Sequence, residues 1–155
     1  MKIALGIDPG SAHVGFAVVQ FSDAGFAKWH SAWEEHPDEV GLQYVQDQIM
    51  ICEADLVAVE IPVPRASFAL RQLVDTARCA QRAIDSAWVA GCDCVELSSY
   101  DWRKRLCGNS NAKDSHIRHA LEEYLVVPRS NSHKRDAAGV ALVAGWHRFH
   151  GRMSA

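Results

Sequence analysis

The first third of the chain alternates between short apolar runs and polar breaks, as a small β-sheet requires. Residues 3–8, 14–20 and about 26–33 are rich in Ile, Val, Phe and Trp, and Pro9-Gly10 stands between the first two runs. Pro fixes φ and Gly tolerates a positive φ, so these two residues favour a tight turn. We therefore expect an antiparallel meander of three strands.

The rest of the chain alternates between helical periodicity and further strands. Leu56–Ile61 is a short apolar run typical of a strand buried on both faces, and residues 92–97 predict a fifth strand. Helices are predicted over 36–53, 66–89, 99–106, from an N-cap at Asn111 to about 124, and from about 133 to 149. This order predicts an α/β fold. Its mixed five-stranded sheet combines a three-strand antiparallel meander with parallel strands and is flanked by helices.

Composition places the chain among ordinary globular proteins. Its 155 residues are 48% hydrophobic and 23% charged, which predicts a single domain over residues 1–155. No apolar run approaches the ~20 residues that span a bilayer, and the N-terminus does not resemble a signal peptide, so we expect a cytoplasmic protein. The five cysteines include no CxxC pair, which argues against a disulfide framework and a zinc ribbon.

The charge is unevenly distributed. The formal net charge is -3, yet residues 1–64 carry two Lys or Arg against ten Asp or Glu. Residues 65–82 carry four basic residues against one acidic residue, and residues 98–135 carry eight against four. Local fields steer a phosphate backbone more than net charge does, so the two basic blocks favour nucleic-acid contact. Solvated surface charge is the alternative reading of these blocks.

Four residues could form a metal site. Asp8 ends the first strand, Glu60 is the only charge in a buried apolar run, and His133 and Asp136 share one face at the start of the last helix. The carboxyl ends of neighbouring parallel strands meet at one edge of a sheet. A mostly oxygen ligand set suits Mg²⁺ or Mn²⁺, and two ions ~3.5–4 Å apart can hydrolyse a phosphodiester. Taken singly, these residues are also typical of a turn, a sheet edge and a helix cap.

These positions lie in segments that resemble the RuvC family of Holliday junction resolvases, in the retroviral integrase/RNase H-like superfamily. The first segment is GIDPGSAHVGFAVV with Asp8, the second is VAVEIP with Glu60, and the third is HKRDAAGVALVAGWH with His133 and Asp136. A fourth segment, CGNSNAKDSHIRHAL, places Lys113 at the family's lysine position. The resemblance covers about residues 3–148, nearly the whole chain.

The resemblance implies a Mg²⁺-dependent crossover junction endonuclease, with Mn²⁺ as a substitute, in a bacterium or a phage-infected host cell. It implies that Asp8 bridges two ions, that Glu60 and Asp136 each hold one, and that His133 ligates or positions the attacking water. Lys113 is expected to stabilise charge on the scissile phosphate. The family also implies a homodimer, formed largely through the helix at 66–89, that binds a four-way or branched DNA and nicks it symmetrically.

The basic blocks supply the predicted DNA contacts. The second block precedes a helix N-terminus, which itself attracts anions, and the first block places its arginines on one helix face. The candidates are Arg71, Arg78, Arg103, Lys104, Arg105 and Lys113, with Arg82 on the same face as the first two. Trp102, beside the second block, is the one tryptophan considered for stacking on a base. The family's aromatic wedge after the catalytic Glu has no counterpart in residues 62–65.

Three alternatives stay open from the sequence. Another RNase H-like nuclease, such as a ribonuclease H, a YqgF-like RNA-processing enzyme or a flap nuclease, would share the fold and the metals. A nucleotide-binding domain of the actin or sugar-kinase type is suggested only by GIDPGS, and it would need a second such domain. A non-catalytic junction-binding protein would have no reason to keep all four candidate ligands.

Overall fold

The computed structural model describes residues 1–64 and 69–151, and its strands form one mixed sheet. The strands are β1 (Lys2–Asp8), β2 (Val14–Phe21), β3 (Ala27–Glu35), β4 (Leu56–Ile61) and β5 (Asp93–Ser98). Their order is β3-β2-β1-β4-β5. The first three strands pair antiparallel, whereas β1–β4 and β4–β5 pair parallel. The predicted fold class is confirmed.

Helices cover both faces of the sheet. They are α1 (Leu42–Ile51), α2 (Leu70–Val89), α3 (Ser99–Cys107), α4 (Asp114–Glu122) and α5 (Ser132–His150). One apolar cluster joins α1 and α2 to one face of the sheet, and a second joins α3, α4 and α5 to the other face. Within the described ranges, no helix has the length and apolar character needed to cross a membrane. The five cysteines are free.

Strand alternation decides which side chains face α5. In β1, Ala4 belongs to the α5 cluster, whereas Leu5 and Ile7 belong to the α2 cluster. In β4, Ala58 likewise packs toward α5 and Val59 toward α2. Successive side chains of a strand point to opposite faces. The even-numbered residues near the ends of β1 and β4, Asp8 and Glu60, therefore point toward the first turns of α5.

Helix α5 lies very close to the central strands because two glycines leave room for it. A Cβ built on Gly6 would lie 2.0 Å from the carbonyl oxygen of Ala137, and one on Gly15 would lie 2.4 Å from that of His133. Both neighbours are backbone atoms and cannot rotate away. The absence of a side chain at these positions therefore sets the distance between the sheet and the start of α5.

Gly6→Ala should destabilise the protein by about 3 kcal/mol, because overpacking a tight core typically costs about 1–3 kcal/mol and here the clash is with backbone. Urea unfolding measures the loss. Gly41→Ala is the matched control: Gly41 has φ -86°, and an added Cβ there meets nothing within 4 Å. Equal effects of the two substitutions would contradict the proposed close packing at Gly6.

Two predicted helix starts are wrong. The structure begins α1 at Leu42 instead of residue 36, because residues 36–41 form turns in which the Glu39 N–H bonds to the His36 carbonyl and the Val40 N–H to the Pro37 carbonyl. Helix α4 begins after Lys113 and not after Asn111. The Asn111 N–H donates to the Asn109 side chain in a separate turn.

The remaining predicted boundaries differ by only one or two residues where they can be compared. The strand predicted at 92–97 spans Asp93–Ser98, and the strand predicted to end near residue 33 continues to Glu35. The long helix predicted over 66–89 is observed from Leu70 to Val89. Its predicted first residues, 66–68, lie outside the described residues.

Candidate active site

Asp8 and Glu60 lie side by side on the two central parallel strands. The register pairs Gly6 with Ala58 and Ile7 with Val59, so one further step places Asp8 beside Glu60. Both carboxylates lie on the strand face that meets α5, two residues after Gly6 and Ala58, and Asp8 is itself buried, with 7% exposure. The parallel pairing thus brings two residues that are 52 positions apart to the same edge of the sheet.

Helix α5 adds the other two predicted ligands. Its N-cap Asn131 accepts a hydrogen bond from the Lys134 N–H through its side chain, which fixes where the helix begins. The His133 Nδ1 then lies 2.8 Å from the Asp8 Oδ2. Asp136, one turn along, is buried and lines the same concavity as Asp8, Glu60 and His133. The structure therefore brings all four predicted residues into one site.

Helix α3 provides a cation to this site. The guanidinium of Arg103 donates a 2.7 Å hydrogen bond to Asp136 Oδ2, and the two side chains are only 15% and 12% exposed. Because both partners are largely removed from water, their attraction is screened much less than that of a surface pair. Arg103, one of the predicted DNA contacts, lies inside the site and is paired with a candidate ligand.

The residue before Arg103 contacts another carboxylate. The indole Nε1–H of Trp102 donates a 2.8 Å hydrogen bond to Glu60 Oε2, and Trp102 is fully buried. The idea that Trp102 stacks on a base is therefore wrong, since a ring with no exposed surface cannot meet a nucleotide. Sequence reasoning missed the contact to Glu60. The four-residue spacing of Trp102 and Leu106 could have marked an inward-facing side of α3.

Crowded negative charge shifts the pKa values of the site. Burial is the largest cause and raises the pKa of Asp8, of Glu60 and of Asp136, the last to about 7. Repulsion from the neighbouring carboxylates raises the pKa of Glu60 and Asp136 further, against the opposing effect of Arg103. The hydrogen bond to Asp8 raises the pKa of His133. The concavity therefore has more negative charge than its own cations neutralise easily.

Glu34 adds to this charge and was missed by sequence reasoning. It lies on β3 opposite Gly15, the glycine that packs against His133. One buried oxygen of Glu34 has no hydrogen-bond partner among the described residues. Its negative charge raises the pKa of Asp8 and of His133. Glu34 lies one residue beyond the predicted end of its strand, and nothing in the local sequence indicated this role.

The donor set fits a hard divalent cation. Three carboxylates and one imidazole are the oxygen-rich, thiolate-free ligands that Mg²⁺ and Mn²⁺ prefer. Within residues 1–64 and 69–151, no three His, Cys, Asp or Glu side chains stand as a ready-made ligand cluster. In the structure, Asp8 is hydrogen-bonded to His133 and Asp136 to Arg103. A bound cation would take over the charge compensation that these two side chains now provide.

A second concavity adjoins the first. It is lined by Lys113, Tyr100, Asn111 and Asp114, and it shares Arg103 with the carboxylate concavity. Lys113 is exposed and forms the N-cap of α4, so the free N–H groups of that helix start beside it.

The other predicted DNA contacts lie on the surface. Lys104 and Arg105 are exposed on α3. On α2, the side chains of Arg71 and Arg78 are 93% and 70% exposed, and each lies within 4 Å of Asp75. The carboxylate of Asp75 therefore cancels part of the positive charge on this face, while the α3 pair has no comparable neighbour in the salt bridges of the described residues.

The sheet order, with helices on both faces, defines the fold class: this chain has the RNase H-like fold. No protein-family model matches the chain. The crossover junction endodeoxyribonuclease RuvC of Shewanella amazonensis is 29% identical over 164 aligned positions, covering 99% of this chain and 90% of that protein.

Solved structures show the same likeness. Thermus thermophilus RuvC superposes with a TM-score of 0.78 at 19% identity, over 97% of this chain and 98% of that one. T. thermophilus RuvC in complex with a Holliday junction substrate gives a TM-score of 0.77 at 21% identity, over 99% and 96% of the two chains. The resemblance predicted from the sequence is confirmed: the chain is RuvC-like.

Proposed function

We propose that this chain is a divalent-metal-dependent endonuclease that resolves Holliday junctions or related branched DNA by paired symmetric nicks. The observation that carries the proposal is the convergence of Asp8, Glu60, His133 and Asp136 in one concavity rich in negative charge. The relative from S. amazonensis is named a crossover junction endodeoxyribonuclease, and the T. thermophilus protein was solved with a Holliday junction. Both likenesses extend over nearly the whole chain.

Three carboxylates would hold two Mg²⁺ ions, with Mn²⁺ as a substitute. Asp8 is central, between the strand that carries Glu60 and the helix that carries Asp136, so it is the ligand proposed to bridge both ions. Glu60 and Asp136 would each hold one. When bound, the ions activate water and stabilise the leaving oxygen of the phosphodiester.

The remaining residues act on water and phosphate. His133 stands at the mouth of the site, with its side chain 38% exposed, where it can ligate or orient the attacking water. Lys113 would hold its positive charge close to the scissile phosphate, from the adjoining concavity. Lys104 and Arg105 extend the positive surface outward, and Arg71 and Arg78 offer a second contact line along α2.

The proposed homodimer is supported by an exposed apolar stripe on α2. Leu70, Val74 and Trp88 are 77%, 38% and 81% exposed, and their spacing places them on one face over about 27 Å of helix. Exposed large apolar groups on one helix face are typical of a contact surface. A second copy of the chain meeting this stripe would place two sites on one junction, as paired nicks require.

Leu70→Asp should shift the protein toward monomers, because it puts a charge into the apolar contact. Analytical ultracentrifugation measures the shift, and junction cleavage should then produce unpaired nicks. Met50→Asp is the control, since Met50 is 73% exposed on α1, outside the stripe. If the wild type is monomeric on the junction, or if both variants behave alike, the α2 interface is wrong.

Cleavage of a synthetic mobile four-way junction in Mg²⁺, with both cut positions mapped, tests the proposed activity. Linear duplex, a flap and an RNA–DNA hybrid of the same sequence are the comparison substrates. We expect the junction to be cut in two strands at symmetric positions. Preference for the hybrid would instead favour a ribonuclease H type of enzyme.

Activity should fall as the pH falls. The pKa of Asp136 is raised to about 7, and the hydrogen bond to Asp8 raises the pKa of His133. Both groups must lose a proton before they can bind a metal ion, and at acid pH they stay protonated. Mn²⁺ affinity measured by titration calorimetry should rise from pH 5.5 to 8.5 together with the cleavage rate. A flat rate profile over this interval would contradict the role given to His133.

A further inference from the structure

We propose that Trp102 is a positioning residue of the active site, whose indole N–H holds the Glu60 carboxylate in the orientation that metal binding needs. This inference rests on the proposed function, since it concerns the same carboxylates. The structural basis is the 2.8 Å hydrogen bond from Trp102 Nε1 to Glu60 Oε2. Trp102 would act through Glu60 and would not itself touch DNA or metal.

The bond is fixed in place by the core. Trp102 is 0% exposed, so its N–H cannot exchange Glu60 for water. The ring lies against Gly139 of α5, where an added Cβ would come within 2.6 Å of it. The guanidinium carbon of Arg103 lies 5.2 Å from the ring centroid. The donor is thereby held between two elements that also carry site residues, and its direction is set by packing.

The chemistry of the donor distinguishes it from the other two partners in the site. An indole N–H is neutral and donor-only, and it engages one lone pair of a carboxylate that has about four. It orients Glu60 without cancelling the negative charge that a cation requires. By contrast, Arg103, the partner of Asp136, is a cation, and His133, the partner of Asp8, becomes a cation when it is protonated. The bond from Trp102 can therefore persist when a metal ion binds, as outer-shell partners of ligands commonly do.

Simple core packing would not require this acceptor. A buried indole N–H needs some partner, and backbone carbonyls usually supply it. Here the acceptor is a side chain 42 residues away, next to the last residue of β4, and it is close enough to two other carboxylates to be repelled by them. Breaking the bond would leave Glu60 free to turn away from the repulsion of Asp8 and Asp136.

Trp102→Phe tests the role, because it keeps an aromatic ring and removes the N–H. The matched control is Trp33→Phe, since the Trp33 indole makes an equivalent 2.9 Å bond to the Tyr44 hydroxyl, on the other face of the sheet. We expect Trp102→Phe to lower Mn²⁺ affinity without DNA, and kcat on a junction, by about 10–100-fold each. The KM for the junction should stay within twofold, and Trp33→Phe should change neither Mn²⁺ affinity nor kcat.

Two further measurements keep the test decisive. If Trp102→Phe unfolds, β-(3-benzothienyl)alanine at position 102 replaces the N–H by sulfur at nearly the same volume. In the Glu60→Gln background, loss of the Trp102 N–H should not reduce Mn²⁺ affinity further. Wild-type Mn²⁺ affinity and kcat in the position-102 variants would overturn the role of Trp102 while leaving the nuclease intact. A wild type that neither binds Mn²⁺ nor cuts a junction would overturn both.

Discussion

Asp8→Asn should abolish cleavage of a four-way junction, by about 10³-fold or more, while the variant still binds the junction. A catalytic metal ion contributes several kcal/mol of transition-state stabilisation, and each 1.36 kcal/mol is about tenfold in rate. Asparagine keeps the shape of Asp8 but removes the charge at the centre of the site. The proposed phosphate contacts, which would supply most of the DNA affinity, are made by other residues.

Single-turnover cleavage and a gel-shift titration, both in Mg²⁺, measure the two effects separately. Asp23→Asn is the control, because its side chain is 92% exposed in the β2–β3 turn. A wild type that binds junctions but never nicks them would favour the non-catalytic alternative. Cleavage by Asp8→Asn at the wild-type rate would remove Asp8 from the chemistry.

Glu60→Gln should make the metal-free protein more stable while also abolishing cleavage. Burial and the charges of Asp8 and Asp136 raise the pKa of Glu60 well above its ordinary value. Removing its charge relieves that strain, and the glutamine oxygen can still accept the bond from Trp102. We expect the free energy of unfolding at pH 8 in EDTA to rise by about 1–2 kcal/mol, within the usual range for a single substitution.

The sign of the pH dependence follows from the raised pKa values. A carboxyl whose pKa is higher in the folded state binds protons preferentially when folded, so stability falls as pH rises from its unfolded value through its folded value. For Asp136 this interval runs from about 4 to about 7. Wild-type protein in EDTA should therefore lose stability between pH 4 and 8, and Glu60→Gln should lose less.

Urea unfolding at pH 5 and pH 8, with EDTA or Mg²⁺, checks this prediction. Mg²⁺ should restore more stability to the wild type than to Glu60→Gln, because binding to the folded state alone stabilises it. Glu96→Gln serves as the control, since Glu96 is exposed on β5. If Glu60→Gln is less stable than the wild type at pH 8 in EDTA, repulsion among the carboxylates does not govern the site.

The parts of the site that follow from strand and helix periodicity were predictable. A single acidic residue in the apolar run Leu56–Ile61 is costly to bury without a partner, and the structure places Glu60 beside Asp8 as parallel pairing requires. His133 and Asp136 share a helix face simply because they are three residues apart. These features are local, so sequence spacing is enough to find them.

The contributions of α3 could not be predicted in the same way. In the sequence, Arg103 is one of several cations in a basic run, and Trp102 is one of several aromatic residues. The local sequence does not show that either side chain faces a carboxylate on another helix or strand. Their partners lie 33 and 42 residues away. The start of α1 was missed for a different reason: the backbone of residues 36–41 forms turns with its own hydrogen bonds, and the helix begins only at Leu42.

Arg103 borders both concavities, so the binding of a cation in one should affect the binding of a phosphate in the other. In the proposed nuclease, a DNA phosphate in the second concavity would compete with Asp136 for this guanidinium. A phosphate that draws Arg103 away leaves Asp136 free for a cation, and a cation on Asp136 leaves Arg103 free for a phosphate. DNA and divalent metal should then bind cooperatively, each raising the affinity of the other by the same factor.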